Sequence, residues 1–309
     1  MMKVLVVARY KEYGYAPFVT EQVAALERLG IECRYFPVKS KGVTGYLKYL
    51  NALRKEIREI QPDVVHAHYG LCGLFANLQR RVPVVTTYHG SDINDKKVLM
   101  LSKIAIRRSA FNIFVSQKNI EIAKPKKRFA LIPCGINLED YPFIEKSEAR
   151  TQMGLSPDKK YVLFAGAFDN AVKNSPLAKE SVTSLNDENL ELLELKGYAR
   201  KQVAILMQAV DAFLMTSFTE GSPQVIKEAL ACGCPIVSVD VGDVKERIAD
   251  IEGCVVVERD ADKLAFALKN ALALGKRTEG RAAIIRDGLT NEAIVLRLNE
   301  IYTQISKKL

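Results

Sequence analysis

Two doubly wound, parallel α/β units in a single chain are predicted by this sequence, on three observations. The chain has 309 residues, 48% of them hydrophobic, enough for two sizeable cores. Short, continuous apolar runs recur along it, the pattern of strands covered on both faces in a parallel sheet. Amphipathic segments with helical spacing lie between these runs. Alternation of this kind builds a doubly wound sheet, whose ligands gather at the carboxyl ends of the strands.

The first predicted strand is residues 3–8 (KVLVVA). The next helix opens at Pro17, which suits a first helical turn; it carries Phe18, Val23, Leu26 and Leu29 at helical spacing and stops at Gly30. Residues 31–38 read as a strand, 46–60 as one amphipathic helix, and 63–67, 83–87 and 110–115 as further strands. A second series follows residues 132–135, with buried strands at 161–165, 212–216, 235–239 and 254–257. The stretch 133–157, rich in Pro, Gly and charge, is the expected connection between domains. Residues 291–308 have Ile294, Leu298, Ile301 and Ile305 on one side of a terminal amphipathic helix. The expected division is therefore an N-terminal domain of residues 1–137, a C-terminal domain of 138–290, and a terminal helix in 291–309 that packs back on the first domain.

Charge is unevenly shared. Residues 1–140 hold 23 Lys and Arg against 12 Asp and Glu, whereas residues 141–309 hold 22 against 24. The basic half suits an anionic partner such as a phosphate-bearing ligand or an anionic membrane surface; no nucleic-acid motif accompanies it, so no nucleic-acid partner is expected. No apolar stretch approaches the roughly 18 residues of a membrane span, Asp211 interrupting the longest, and the N-terminus lacks a signal-peptide profile. The expected location is the cytoplasm, with peripheral contact at the inner membrane face. The six cysteines form no CxxC pair and read as small buried fillers; Cys232 and Cys234 flank one glycine without a second pair to complete a zinc site.

The densest chemistry lies in residues 216–235, TSFTEGSPQVIKEALACGCP. Ser222 is expected to cap a helix with Pro223 at its first position, leaving exposed amides that suit a phosphate. Glu220 precedes this helix and Glu228 falls more than a turn into it, so two carboxylates bracket a ligand anchored there by its phosphates. A capped surface helix with ordinary glutamates fits the same local pattern. His66 and His68 share one face of a strand, and His89 sits in the turn after the next. No carboxylate or cysteine completes a metal site with them at recognisable spacing, so no metal is expected. His66 and His68 are expected to close the strand end by hydrogen bonds. No Ser, His, Asp triad or Cys, His pairing emerges.

Glu220 and Glu228, followed by Ala229, Leu230, Ala231, Gly233 and Pro235, resemble the signature of the retaining GT-B glycosyltransferases of family four. The resemblance runs through the chain: PDVVHAHYG (62–70), TTYHGSDI (86–93), VSQKN (115–119), IPCGIN (132–137) and VDVGDVKE (239–246) stand where that family has counterparts. It implies two Rossmann-like domains with the active site in the cleft, an acceptor side in the first and a nucleotide-sugar donor side in the second. By that resemblance Glu228 would bind the donor ribose hydroxyls, Glu220 would contact the transferred sugar, and the backbone of Gly221, Ser222 and Pro223 would meet the sugar or diphosphate. His89, in HGSD, matches the position facing the transferred sugar, with Asp92 as its companion for acceptor or sugar hydroxyls.

The second donor element is FAGAFDNAVKN, residues 164–174. Family members have an arginine soon after the glycine and a lysine further on, which together neutralise the diphosphate. Lys173 matches the lysine, but Gly166 is followed by Ala167, and Arg200 is the candidate to replace the absent arginine. Gly14, in YKEYGYAP, is a reduced form of the glycine-rich loop that lets the backbone approach the donor phosphates. The implied activity is transfer of a sugar from a nucleoside-diphosphate sugar to a glycan or lipid-linked acceptor, with retention and with neither cofactor nor metal. Two other functions fit the same site: a nucleotide-sugar epimerase of the same fold, and a catalytically silent nucleotide-sugar-binding partner protein, which the absent arginine keeps open.

Overall fold

The computed structural model describes residues 1–12, 14–40 and 42–307. They form two compact units, one of residues 1–135 with 291–309 and one of residues 136–290.

In the first unit, β1 (Lys3–Arg9) leads to α1 (Pro17–Arg28) and β2 (Glu32–Val38), then α2 (Gly42–Leu47), α3 (Leu50–Ile60), β3 (Val64–His68), α4 (Gly70–Ala76) and β4 (Val84–Tyr88). After α5 (Ser91–Asn94) and α6 (Lys96–Arg108) come β5 (Phe111–Phe114), α7 (Gln117–Ala123) and β6 (Phe129–Leu131). The six strands are parallel in the order β2-β1-β3-β4-β5-β6. Because side chains alternate along a strand, β1 feeds two cores at once. Val4 and Val6 pack with Val23 and Leu26 of α1, while Leu5 and Val7 pack with Leu53 and Ile57 of α3 and Phe75 of α4.

The second unit runs α8 (Lys146–Met153), β7 (Lys160–Phe164), α9 (Ser175–Thr183), β8 (Leu190–Glu194), α10 (Arg200–Ala209), β9 (Ala212–Met215), α11 (Gln224–Ala231), β10 (Ile236–Val239), α12 (Val244–Ile248), β11 (Cys254–Val257), α13 (Ala261–Ala273) and α14 (Gly280–Arg286). Its strands are parallel in the order β11-β10-β9-β7-β8. The chain then returns to the first unit as α15 (Asn291–Ser306), whose Ile294, Leu298, Ile301, Tyr302 and Ile305 join the core beneath α1. Lys308, the last residue of the predicted helix, lies outside the described residues.

Four readings of the sequence need correction. The single helix over 46–60 is two, α2 and α3; the break is one tight turn closed by Tyr49 N donating to Tyr46 O at 3.0 Å, short enough for the apolar period to run through it. The stretch 133–157 does hold the passage between the units, at Gly135–Ile136, but most of it belongs to the second unit as far as α8 and beyond, and its charge is an anchor: buried Arg150 donates to Ala209 O, Pro157 O and Asp211 Oδ2 at 3.1, 2.7 and 2.9 Å. Strands β6 and β8 were not anticipated: each lies at a sheet edge and is only partly buried, β6 is three residues long, and Glu191 and Glu194 interrupt β8. Cys254 is half-buried, whereas the other five thiols are buried as expected.

Candidate functional site

In the C-terminal unit β8 lies on one side of β7 and β9 on the other, so the lateral order of the strands reverses between β7 and β9. The loops leaving the carboxyl ends of these strands flank that switch point, where doubly wound sheets bind ligands. Three contacts join the two loops. The Thr216 hydroxyl lies 2.9 Å from both Lys173 O and Asn174 O, and Phe218 N donates to Val172 O at 2.9 Å. Lys173 Nζ donates to Glu220 Oε1 at 2.7 Å, in an ion pair whose side chains keep only 20% and 18% of their exposure. A Cβ on Gly166 would stand 2.8 Å from Lys173 Cγ, so the lysine stem lies across the glycine and needs it to be one. Behind Glu220 the loop after β10 closes in: a Cβ on Gly242 would meet Gly221 O at 2.7 Å and Glu220 Cβ at 3.3 Å.

Ser222 does not cap α11. Pro223 occupies the cap position without a side-chain bond, and Gln224 is the first helical residue. The Ser222 hydroxyl donates to Asp243 Oδ2 at 2.8 Å and accepts from Lys227 Nζ at 3.1 Å, while Lys227 also donates to Gln224 Oε1 at 2.6 Å. Lys227 is fully buried, and a buried ammonium needs acceptors more than an exposed helix start needs a cap. Asp243 in turn accepts from Arg247 Nε at 2.9 Å. This network escaped the sequence reading; its one visible signal was a lysine within an otherwise apolar helical face.

Glu228 lies one turn into α11, close to the phenol of Tyr141. That phenol is held far above its ordinary pKa, first by burial and then by the Glu228 carboxylate, with the Arg200 guanidinium acting in the opposite direction. Arg200 begins α10 and places a terminal nitrogen 3.5 Å from Asp140 Oδ2. The cation beside Glu220 is thus Lys173, and Arg200 is a cation beside the Tyr141 phenol.

The N-terminal unit has its own switch point, between β1 and β3. Gly14 closes a tight turn there, exchanging both backbone hydrogen bonds with Lys11 at 3.0 Å, and its φ of 96° lies in the left-handed region open to glycine. Tyr13 of the same loop is outside the described residues. The three histidines stack in series, His66 to His68 at 4.6 Å and His68 to His89 at 5.3 Å between centroids. His66 pairs with the Tyr302 hydroxyl at 2.5 Å and Thr87 Oγ1 at 2.7 Å, and His68 Nδ1 with His89 Nε2 at 3.0 Å. Burial lowers the pKa of both inner rings, that of His68 to about 3, so they are held neutral. The His89 ring packs between Phe18 and Tyr69, with centroids at 4.5 and 4.6 Å.

The Asp92 carboxylate is buried and accepts the backbone N–H of Gly70, His89 and Gly90 at 2.8, 3.0 and 3.0 Å. Burial outweighs those bonds and raises its pKa to about 6. Its oxygens therefore fix the turn that presents His89. A cavity of ≈350 Å³ opens nearby, lined in part by Arg9, Lys11, Tyr46, Tyr69, Asp92 and Asp95. Among the described residues no three His, Cys, Asp or Glu side chains cluster as metal ligands, and no helix is long and apolar enough to cross a membrane.

Residues 4–140 match the family described as Glycosyltransferase Family 4, and residues 159–273 match Glycosyl transferases group 1. A Bacillus subtilis protein assigned as the teichuronic acid biosynthesis glycosyltransferase TuaC is 27% identical over 266 residues, which are 76% of this chain and 68% of that protein. The D-inositol 3-phosphate glycosyltransferase of Mycobacterium marinum is 26% identical over 268 residues, 71% of this chain and 57% of that protein. The chain thus spans roughly three fifths to two thirds of the length of these curated relatives. Among solved structures, sucrose-phosphate synthase from Thermosynechococcus elongatus is similar with a TM-score of 0.82 at 19% identity, covering 100% of both chains. HepE of Anabaena, in complex with UDP and glucose, gives 0.72 at 18%, covering 98% of this chain and 100% of that one. These structures share the fold, two Rossmann-like parallel-sheet units of the GT-B type.

Proposed function

We propose that this chain, which belongs to the family-four, group 1 glycosyltransferases, moves a sugar from a nucleoside-diphosphate sugar to a glycan or lipid-linked acceptor with retention of anomeric configuration. The observation that carries the reading is the Lys173–Glu220 pair, held at 2.7 Å by loops fastened to each other at the switch point of the C-terminal sheet. Breaking the bond between the anomeric carbon and the diphosphate builds negative charge on the departing oxygen. Lys173 and the amides opening α11 supply fixed positive charge for it, so stabilisation is electrostatic and no metal is needed. Glu220 holds the lysine and contacts the sugar, Gly221, Ser222 and Pro223 offer backbone to the sugar or diphosphate, and Glu228 takes the ribose hydroxyls. Arg200 supports Glu228 from across Tyr141.

By the family resemblance, the N-terminal unit would offer His89 to the transferred sugar, the Gly14 backbone to the phosphates and the cavity beside Asp92 to the acceptor. Neither Arg9 nor Lys11 in that cavity has a carboxylate partner among the described residues, which favours an acceptor with an anionic group. Thermal-shift measurements across a panel of nucleotide sugars test the donor. UDP-sugars come first, because HepE is similar in fold and holds UDP. A donor at 100 times its Kd stabilises by ~2.7 kcal/mol, and absence of stabilisation by every nucleoside-diphosphate sugar refutes the reading. With a donor in hand, an altered sugar released without acceptor identifies an epimerase, and binding without turnover identifies a silent partner.

A further inference from the structure

We propose that the amino-terminal edge of the N-terminal sheet is a docking face for an anionic membrane surface, a reading independent of the transferase assignment. The strands of this sheet are parallel, so their amino ends share one edge, opposite the edge that carries His89 and Gly14. A cavity of ≈270 Å³ there is lined by six cations, Lys103, Arg107, Lys124, Lys126, Lys127 and Arg128, and by no carboxylate. A second cavity, of ≈520 Å³, shares Arg128 and adds Arg80, Arg81 and Arg108, again with no carboxylate. All of these side chains are exposed, and none forms an ion pair among the described residues. The sequence explains the imbalance: residues 77–128 hold 12 Lys and Arg against three acids. Asp92 is buried on backbone amides, Asp95 caps α6, and Glu121 accepts from Gln117.

Backbone conformation gives a second observation. Arg80, Lys124 and Arg128 adopt φ of 60°, 50° and 57°, in the left-handed region where glycine is at ease. Long cations stand at three strained turns of one face. A third observation separates a membrane from other polyanions. Met100 and Ile104, exposed by 72% and 38%, lie on α6 one turn apart beside Lys103 and Arg107, and Ile122 and Phe129 are exposed by 41% and 38% on the neighbouring elements. Apolar side chains among cations match the boundary between headgroups and acyl chains, whereas a nucleic acid gains little from aliphatic groups.

The test is flotation of the full chain with phosphatidylcholine vesicles, with and without phosphatidylglycerol, at low and high salt. Binding is expected only to the anionic vesicles and to fall steeply as salt rises. Each neutralised cation should weaken it about fivefold, so Lys124→Gln/Lys126→Gln/Lys127→Gln should lose roughly 100-fold. A matched triple variant of paired lysines in the other unit, Lys196→Gln/Lys263→Gln/Lys276→Gln, should stay within about threefold. Met100→Ser/Ile104→Ser should weaken vesicle binding while leaving heparin binding unchanged. Equal binding to neutral and anionic vesicles overturns the proposal, as does parental binding by the Lys124/126/127 variant. Tighter binding to duplex DNA than to anionic vesicles at equal phosphate concentration overturns it in favour of a nucleic acid.

Discussion

Replacing Lys173 with Met keeps an unbranched stem across Gly166 and removes only the ammonium that meets Glu220 Oε1 at 2.7 Å. If that charge stabilises the leaving diphosphate, the loss should match removal of one oxyanion-stabilising donor, about 100 to 1,000-fold in turnover, or roughly 2.7 to 4 kcal/mol. A structural cost comes with it. At 20% and 18% exposure the pair lies between surface pairs, worth about 0–1 kcal/mol, and buried pairs, whose breakage costs about 3–5 kcal/mol. A stability loss of about 1–2 kcal/mol is therefore expected. The two effects separate in Lys173→Met/Glu220→Gln, which removes the stranded carboxylate and should regain stability but not turnover. The assay is single-turnover transfer at saturating donor, beside a titration with the nucleoside diphosphate that reads affinity alone. A folded Lys173→Met enzyme that transfers within about threefold of the parent rate refutes the assignment of the charge, since threefold is less than half the energy of a tenfold effect.

Gly166→Ala puts a methyl 2.8 Å from Lys173 Cγ; overpacking should cost about 1–3 kcal/mol and displace the ammonium, so turnover should fall toward that of Lys173→Met, and parental turnover would contradict the close packing. His68, with its folded pKa lowered to about 3 from an ordinary 6.5, contributes stability that is complete above pH 6.5 and lost as pH falls toward 3. About 2 kcal/mol should disappear between pH 7 and pH 5 from this ring alone, partly offset by Asp92, whose raised pKa acts with the opposite sign between about pH 4 and 6. Denaturant titrations read the sum, and an NMR titration showing His68 protonated near pH 6 would overturn the reading. Transfer is expected to survive EDTA if, as proposed, Lys173 and backbone amides supply the positive charge; loss of activity that magnesium or manganese restores would show otherwise.

The parts of the fold that were legible in the sequence are those where one physical requirement dominates. Residues 4–8 and 212–215 are buried on both faces, so their strands are unbroken apolar runs and could be read directly. Edge strands β6 and β8 meet a weaker requirement: β6 is only three residues long, and two glutamates interrupt β8. The pattern around Glu220 and Glu228 was readable because its residue types and spacing are constrained together. The fate of Ser222 was not, since a serine before a helix reads as a cap unless Lys227, five residues later, is known to be buried and in need of an acceptor. At Asp92 the sequence showed a carboxylate beside a histidine but not the three backbone amides that its oxygens take.

On the proposed reading, Ala167 changes the electrostatics of the donor side. With a second cation in the loop after β7, one positive charge would remain after Lys173 pairs with Glu220; with Ala167, the two facing side chains cancel. A diphosphate bound as proposed would meet no net side-chain charge from the pair, so its binding would draw on the oriented amides at the start of α11 or on a lysine that turns from carboxylate to phosphate. The second route costs little if the sugar takes over Glu220 as its acceptor, because the carboxylate then exchanges an ammonium for hydroxyls and is not left bare. On the proposed reading, Glu220 would hold Lys173 until the sugar takes over the carboxylate, so positive charge would reach the leaving group only with a complete donor.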